Sequence, residues 1–308
     1  MTGPWAAVGG YAPPSGWGDR PDAEDRARAW CERLEAGEIL YFPAPPFSLP
    51  DPDRALLLGQ RWDGSAIHKN ISYRPGADAL GGFGGAGAAR AEVHRVLREC
   101  SARLLGFPGE FLRPYRGRFQ ADYASFRPVK EEGRGLPLQR NDLLHMDAFP
   151  SRPTRGGRIL RVFTNLHPDR ARVWLVTDRF PALAARFAGA AGLAGLAAPP
   201  AAPARLAARA RALPGLPGAG RSAYDRFMLR FHDCLKEHAA FQAECAKTRI
   251  EFPPLSTWLV FTDGVPHAVL SGRSAIEQTV IVPADALAAS PHAPIRVLER
   301  LAGTPLDR

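Results

Sequence analysis

From Arg116 onward the chain is cut into short β-rich runs by Gly and Pro turns. Arg158-Ile159-Leu160-Arg161-Val162-Phe163-Thr164-Asn165 is one; Arg118–Phe126, Val173–Val176, Trp258–Phe261, His267–Leu270 and Thr279–Val282 are others. Many short strands between turns predict an all-β sandwich or barrel core. Helical periodicity lies mostly outside them. Asp25–Leu34 and Asp53–Gly59 read as short helices, and Val93, Val96, Leu97, Cys100 and Leu104 recur at helical spacing within Ala88–Leu105. These helices are expected to buttress the sheet. Pro181–Arg211, biased to Ala, Gly and Pro, reads as a helix pair joined at Ala198-Pro199-Pro200. Tyr224–Ala246 reads as one long helix.

Composition narrows the partners. None of the 308 residues lies in an apolar run long enough to span a bilayer. Met1–Arg20 lacks the basic start and apolar core of a secretory signal, so the expected location is cytoplasmic. Cys31, Cys100, Cys234 and Cys245 have no CxxC spacing and read as reduced core thiols, not zinc ligands. The formal net charge is +9, and only Lys69, Lys130, Lys236 and Lys247 contribute lysine. The Arg excess reflects either a GC-rich genome or attraction to a polyanion. No zinc-finger, RRM-type or helix-turn-helix signal accompanies it, which argues against nucleic acid.

The chemistry concentrates in Leu143-Leu144-His145-Met146-Asp147-Ala148-Phe149. On a strand-like run, residues two apart share a face, so His145 and Asp147 reach one ion while Met146 turns away. After Trp258–Phe261 the chain reverses at Asp263-Gly264 and presents His267 at the mouth of the next strand. Two imidazoles and one carboxylate are the facial triad of non-heme Fe(II) oxygenases, with coordination positions left open. The competing reading is two unrelated core histidines. His167-Pro168-Asp169 also fits HxD, but Pro168 opens a turn there and predicts a surface loop. His232 and His238 fall on different faces of the long helix and read as surface or packing residues. His68, His94 and His292 have no partner at ligand spacing.

A 2-oxoglutarate cosubstrate also needs a cation for its distal carboxylate. Ala275–Ile281 holds no Arg, and Arg273 precedes it in a Ser271-Gly272-Arg273 turn. Arg161 is the other candidate, sharing a strand face with Ile159, Phe163 and Asn165. An Arg on an inward apolar face needs a partner. A cosubstrate carboxylate or a buried Glu would meet that need. Asn165 would hydrogen-bond the keto acid or orient a ligand.

The run His145-Met146-Asp147-Ala148-Phe149-Pro150-Ser151-Arg152-Pro153-Thr154, followed by the Arg158–Asn165 strand, resembles the Kdo (3-deoxy-D-manno-oct-2-ulosonic acid) hydroxylases. The resemblance extends to Gly37–Pro43, Lys69–Tyr73, Ser125–Pro128, His267 and Glu277-Gln278-Thr279. It implies a double-stranded β-helix, a cupin-like jelly roll, with flanking helices. It implies an Fe(II)- and 2-oxoglutarate-dependent dioxygenase that consumes dioxygen and hydroxylates C3 of a Kdo residue of Kdo-lipid A. The products would be the sugar acid Ko, succinate and CO2. By position, His145, Asp147 and His267 would be the iron ligands; the assignment of Arg161 with Asn165 to the cosubstrate rests on strand geometry, not on the resemblance. Which of Arg161, Arg127 and Arg273 holds 2-oxoglutarate stays open, as does which Kdo is modified.

An Arg-rich rim would attract the sugar carboxylate, the lipid phosphates and the anionic inner-membrane surface, with peripheral contact only. Lys69, Arg74 and Arg127 are the substrate candidates. The expected layout is a loose arm over residues 1–22 and a single catalytic jelly-roll domain over 23–308, with a helical insertion at 181–246. The competing functions are a non-catalytic jelly-roll module that binds anionic glycolipid and a related dioxygenase acting on another acidic sugar or lipid.

Overall fold

A computed structural model describes residues 5–8, 21–60, 70–128, 137–197 and 221–307. Among them eleven strands form: β1 Trp5–Ala7, β2 Ile39–Phe42, β3 Ile71–Arg74, β4 Ala79–Gly81, β5 Gln120–Arg127, β6 Arg158–Asn165, β7 Arg172–Val176, β8 Thr248–Phe252, β9 Thr257–Phe261, β10 His267–Ser271 and β11 Ala275–Val282. Eight make one sheet in the order β1-β2-β9-β6-β11-β5-β3-β4, and three make a second, β10-β7-β8. Every pairing is antiparallel except β1 with β2. The expectation of a sheet-rich core with flanking helices holds.

The alternation of β6 shows how the layers form. Leu160 and Val162 point to the outer face of the large sheet, where they pack with residues of the helix Gly87–Phe111. Phe163 points the other way, into an apolar layer shared with Trp258 of β9 and Trp174 of β7. The Phe163 and Trp258 rings stack at 5.3 Å, and Trp174 meets Trp258 edge-on at 5.5 Å. Each such buried aromatic contributes on the order of 2–3 kcal/mol by area. Arg161, on the same face as Phe163, is the polar exception that marks the site. The helices Phe180–Phe187, Ala223–Glu237 and Pro294–Ala302 enclose a further apolar cluster that includes Leu144 and Met146.

Several boundaries differ from the sequence reading. Trp5–Ala7, within the expected arm, pairs with Ile39–Tyr41. The long helix over 224–246 is two helices, because the backbone turns out at His238 and its Nδ1 accepts from Phe241 N at 3.1 Å. Within 181–211 the described helices are Phe180–Phe187 and Leu193–Ala197; the join at Ala198-Pro199-Pro200 lies outside the described residues. Gly37 ends the helix Ala23–Glu35 with φ +87°, a left-handed conformation that favours glycine. Cys31 and Cys100 are buried free thiols, while Cys234 and Cys245 are half-buried.

Candidate metal centre and cosubstrate cavity

Leu143–Phe149 is not a strand, which corrects the expectation for the HxD run. Its pairing is a single antiparallel bridge: His145 N donates to His267 O at 3.1 Å, and His267 N to His145 O at 2.9 Å. The next amide toward the site, Asp147 N, donates to Thr262 O at 2.9 Å. The ladder cannot lengthen on the other side, because Leu144 is held by a side chain. Gln242 Oε1 accepts from Leu144 N at 3.0 Å, and its Nε2 donates to Leu144 O at 2.8 Å. The face rule survives without a strand. Met146 is buried among the helical cluster while His145 and Asp147 face the sheets.

This arrangement brings His145, Asp147 and His267 together, with one ligand atom from each within 4.8 Å of the others. Adjacent ligand atoms of a facial triad, each roughly 2.0–2.2 Å from the ion, stand roughly 3 Å apart, so the three side chains draw together when an ion binds. The Nδ1–H of His145 donates to Leu143 O at 2.7 Å and that of His267 to Val265 O at 3.0 Å. That leaves each Nε2 lone pair for a metal. Burial, and in His145 also the neighbouring His267, lowers both imidazole pKa values, so both rings are neutral at neutral pH. Burial alone would raise the Asp147 carboxyl, but Arg161, then His267 and His145, hold it well below the usual carboxylate range. All three side chains are therefore in protonation states that can bind a metal.

The Asp147 carboxylate also carries an unmet need. Arg161 Nη1 lies 3.1 Å from Asp147 Oδ2, but out of hydrogen-bond alignment, and this buried oxygen accepts no hydrogen bond from the described residues. An unsatisfied carboxylate oxygen beside two free imidazole lone pairs fits a divalent cation.

A cavity of about 90 Å³ opens beside the triad, lined by Arg127, Asn141, Arg161, Phe163, Arg172, Trp174 and Val269 together with the three ligands. Three guanidiniums thus line the cavity beside one carboxylate, Asp147, and two of them, Arg127 and Arg161, also reach a second, Glu277. Glu277 is buried and bridges two of the arginines: its Oε1 lies 3.1 Å from Arg127 and 3.4 Å from Arg161. Burial raises its pKa, but Arg127 and then Arg161 lower it further, so it is ionised. Arg172, on β7, donates to Gly272 O at 3.1 Å. Gly272 takes φ +112°, and a Cβ there would sit 2.8 Å from Arg172 Cα, so only glycine lets that turn approach the cavity wall. Trp174, two residues on, stacks on His267 at 4.9 Å, and its buried Nε1 finds no acceptor among the described residues.

A family model for 3-deoxy-D-manno-oct-2-ulosonic acid (Kdo) hydroxylase matches residues 17–305. The chain belongs to the Kdo hydroxylase family. Crystal structures of the Kdo hydroxylase KdoO, a non-heme Fe(II) alpha-ketoglutarate-dependent dioxygenase, are similar over nearly their whole length. The complex with alpha-ketoglutarate (2-oxoglutarate) and Fe(III) superposes with a TM-score of 0.82 at 29% identity, covering 98% of this chain and 97% of that chain. The cobalt(II) complex gives the same values. The complex with succinate and Fe(III) gives 0.81 at 30% identity, with the same coverage. No curated protein matches the chain.

The remaining site candidates of this Kdo hydroxylase separate cleanly. Arg127 and Arg161 line the cavity. Arg273 is exposed and does not line it. Asn165, expected at the cosubstrate, is spent on backbone. Its Nδ2 donates to Arg170 O at 2.8 Å, Phe252 O at 3.1 Å and Pro253 O at 3.2 Å, and its Oδ1 accepts from His167 N at 3.0 Å. It fixes the β6–β7 turn instead, one strand position beyond the reach of the cavity. Arg74 is exposed at the end of β3, and Lys69 lies outside the described residues. His167 is buried, and its Nδ1 accepts from Arg170 N at 3.2 Å, so the second HxD is a turn, although not a surface histidine.

Contributors not read from sequence include Asn141, Arg172, Trp174, His232 and Gln242. Arg172 and Trp174 sit two apart on one strand, a period-two signal that starting the strand at Val173 hides. His232, expected at the surface or in packing, donates from Nδ1 to Met146 O at 2.6 Å, and its ring lies edge-on to His145 at 5.2 Å. With Gln242 it braces the ligand-bearing loop from the helices after residue 221.

Proposed function

We propose that this chain hydroxylates C3 of a Kdo residue of Kdo-lipid A, using Fe(II), 2-oxoglutarate and dioxygen, to give Ko, succinate and CO2. The observation that carries the reading is the convergence of His145, Asp147 and His267 beside a buried cavity rich in guanidinium. When bound, ferrous iron with the keto acid and dioxygen supplies the oxidising power: one oxygen atom enters the C–H bond and the other enters succinate.

The chain's own residues bind, orient and shield. His145, Asp147 and His267 would hold the iron. Arg161 would take the distal carboxylate of 2-oxoglutarate, and the Trp174 Nε1–H would donate to the same group. Three guanidiniums against two carboxylates, one of them a metal ligand, leave positive charge to match a dianion. Glu277 keeps Arg127 and Arg161 at fixed spacing, and the aromatic layer of Phe163 and Trp174 excludes water. Arg127, Arg74 and Lys69 are assigned to the acidic substrate.

We read the eight- and three-stranded sheets as the two faces of a double-stranded β-helix spanning one catalytic domain over 23–308, preceded by an arm over 1–22. The segment 181–246 is its helical insertion. No helix among the described residues is long and apolar enough to cross a membrane. Contact with the inner membrane from the cytoplasm would be peripheral and electrostatic.

The test is direct. Purified protein with Fe(II), 2-oxoglutarate and Kdo-lipid A should add one oxygen atom to the sugar and form succinate in equal amount, read by mass spectrometry. No mass gain defeats the reading. The cavity wall offers a narrower check. Trp174→Phe keeps the stacked ring but removes one donor to a charged acceptor, so the 2-oxoglutarate KM should rise about tenfold with kcat largely kept. An unchanged KM would remove Trp174 from the cosubstrate site.

A further inference from the structure

Beyond the cavity, cations and aromatic rings alternate outward from the metal ligands. Arg161, at Asp147, lies 6.0 Å from the Phe149 ring centre. The guanidinium of Arg152 lies 4.3 Å from the same ring and 4.0 Å from the ring of Tyr123. Arg74, at the exposed end of β3, sits 5.1 Å from the Tyr123 ring centre. A narrow crevice touches Asp147, Phe149 and Arg152 together, so Arg152 borders the site.

These two outer arginines are held but not satisfied. An aromatic face fixes a guanidinium in place yet uses none of its five N–H donors. Among the described residues, the Arg74 guanidinium donates no hydrogen bond and has no carboxylate partner. Arg152 has one acid nearby, Asp122, with Nε 3.3 Å from Oδ2. That contact is misaligned, and both atoms are buried without a hydrogen bond. Two forks pinned on one ring, with their donors unspent, form a receptor for a group of anionic oxygens.

We infer that Arg74 and Arg152, seated on Tyr123, bind an anionic oxygen group of the substrate lying beyond the sugar that reacts: a phosphate of the lipid or the carboxylate of a neighbouring sugar. This rests on the proposed function for the choice of substrate. Tyr123 and Phe149 act as positioning residues that orient the guanidinium edges. The site would set which lipid-linked sugars are accepted, while the inner cavity performs the chemistry.

Binding without turnover tests it. The full-length protein is sedimented with phosphatidylcholine vesicles carrying Kdo-lipid A, the same lipid with its phosphates removed, or phosphatidylglycerol. Arg74→Gln and Arg152→Gln should each weaken binding to intact Kdo-lipid A about tenfold, the loss of one charge-assisted contact. Binding to phosphatidylglycerol should not change. If phosphate removal weakens the wild type to the variants' level, phosphate is the anion; if it does not, the carboxylate is. Wild-type affinity in both variants overturns the inference. So does an equal loss on phosphatidylglycerol, which would make the arginines general surface charge. Arg74, exposed and without an acid partner among the described residues, serves as the variant expected to leave the fold intact. Vesicle binding that depends on these arginines, without oxygen transfer, would defeat the hydroxylase reading and leave the receptor standing.

Discussion

Asp147→Ala should cut hydroxylation by more than about a hundredfold while the protein stays folded, since loss of a ligand exceeds the usual effect of losing a residue behind one. The structural reason is local. Asp147 supplies the carboxylate of the triad and is also a counter-ion for Arg161. Removing it leaves two neutral imidazoles, which hold a divalent ion weakly, and leaves Arg161 with Glu277 as its nearby acid. The loop should persist, because the reciprocal His145–His267 amide bonds and the Gln242 clamp on Leu144 do not involve the Asp147 side chain. Iron content and a thermal melt separate the effects. A variant that keeps full turnover would remove Asp147 from the ligand set, and an active His145→Ala would do the same for its partner.

Arg161→Ala should raise the 2-oxoglutarate requirement by about a hundredfold, as expected when a forked, charge-assisted contact to a carboxylate is lost. A second effect follows from the Asp147 pKa. Arg161 is the largest influence lowering that carboxyl against its burial. Without it the pKa rises, protons compete better with the metal, and iron binding should weaken as pH falls. The wild type, with its depressed carboxyl, should hold iron to lower pH than the variant. Arg161→Lys should restore the charge but only part of the cosubstrate affinity, because an ammonium lacks the fork. An unchanged 2-oxoglutarate requirement would move the role to Arg127 or Arg172, which line the same cavity. Arg273 is too exposed to inherit it.

How far the sequence reaches depends on how local each signal is. The bounds of β6 coincide with the run read from Arg158 to Asn165, because β-branched and aromatic residues fill it. β11 spans Ala275–Val282 and so covers the Ala275–Ile281 run, with the polar Glu277 and Gln278 inside it. They are buried because partners far along the chain satisfy them: Arg127 for Glu277, and Ser101, which donates to Gln278 Oε1 at 2.6 Å. The same argument that flags Arg161 as an inward charge applies to Glu277. Either residue predicts a buried partner, and they are that partner for each other.

The placing of His145 and Asp147 on one face was legible from spacing, while its support was not. Sequence cannot show that Gln242 clamps Leu144 or that His232 holds the Met146 carbonyl, because those contacts cross about a hundred residues and depend on how helices dock. Asn165 failed for the converse reason. Its strand face was right, but it lies where the chain turns, and backbone groups claim all its hydrogen-bonding capacity. The Arg74–Tyr123–Arg152 series needs β3, β5 and the ligand loop side by side, which no local pattern encodes.

The central claim is that the His145–Asp147–His267 centre couples decarboxylation of 2-oxoglutarate to oxygen insertion into Kdo. Turnover under isotopically labelled dioxygen measures this most directly. The account predicts one labelled oxygen atom on the sugar and the other in succinate, in equal amounts. Unlabelled product, or succinate formed with no oxygen on Kdo-lipid A, would contradict it.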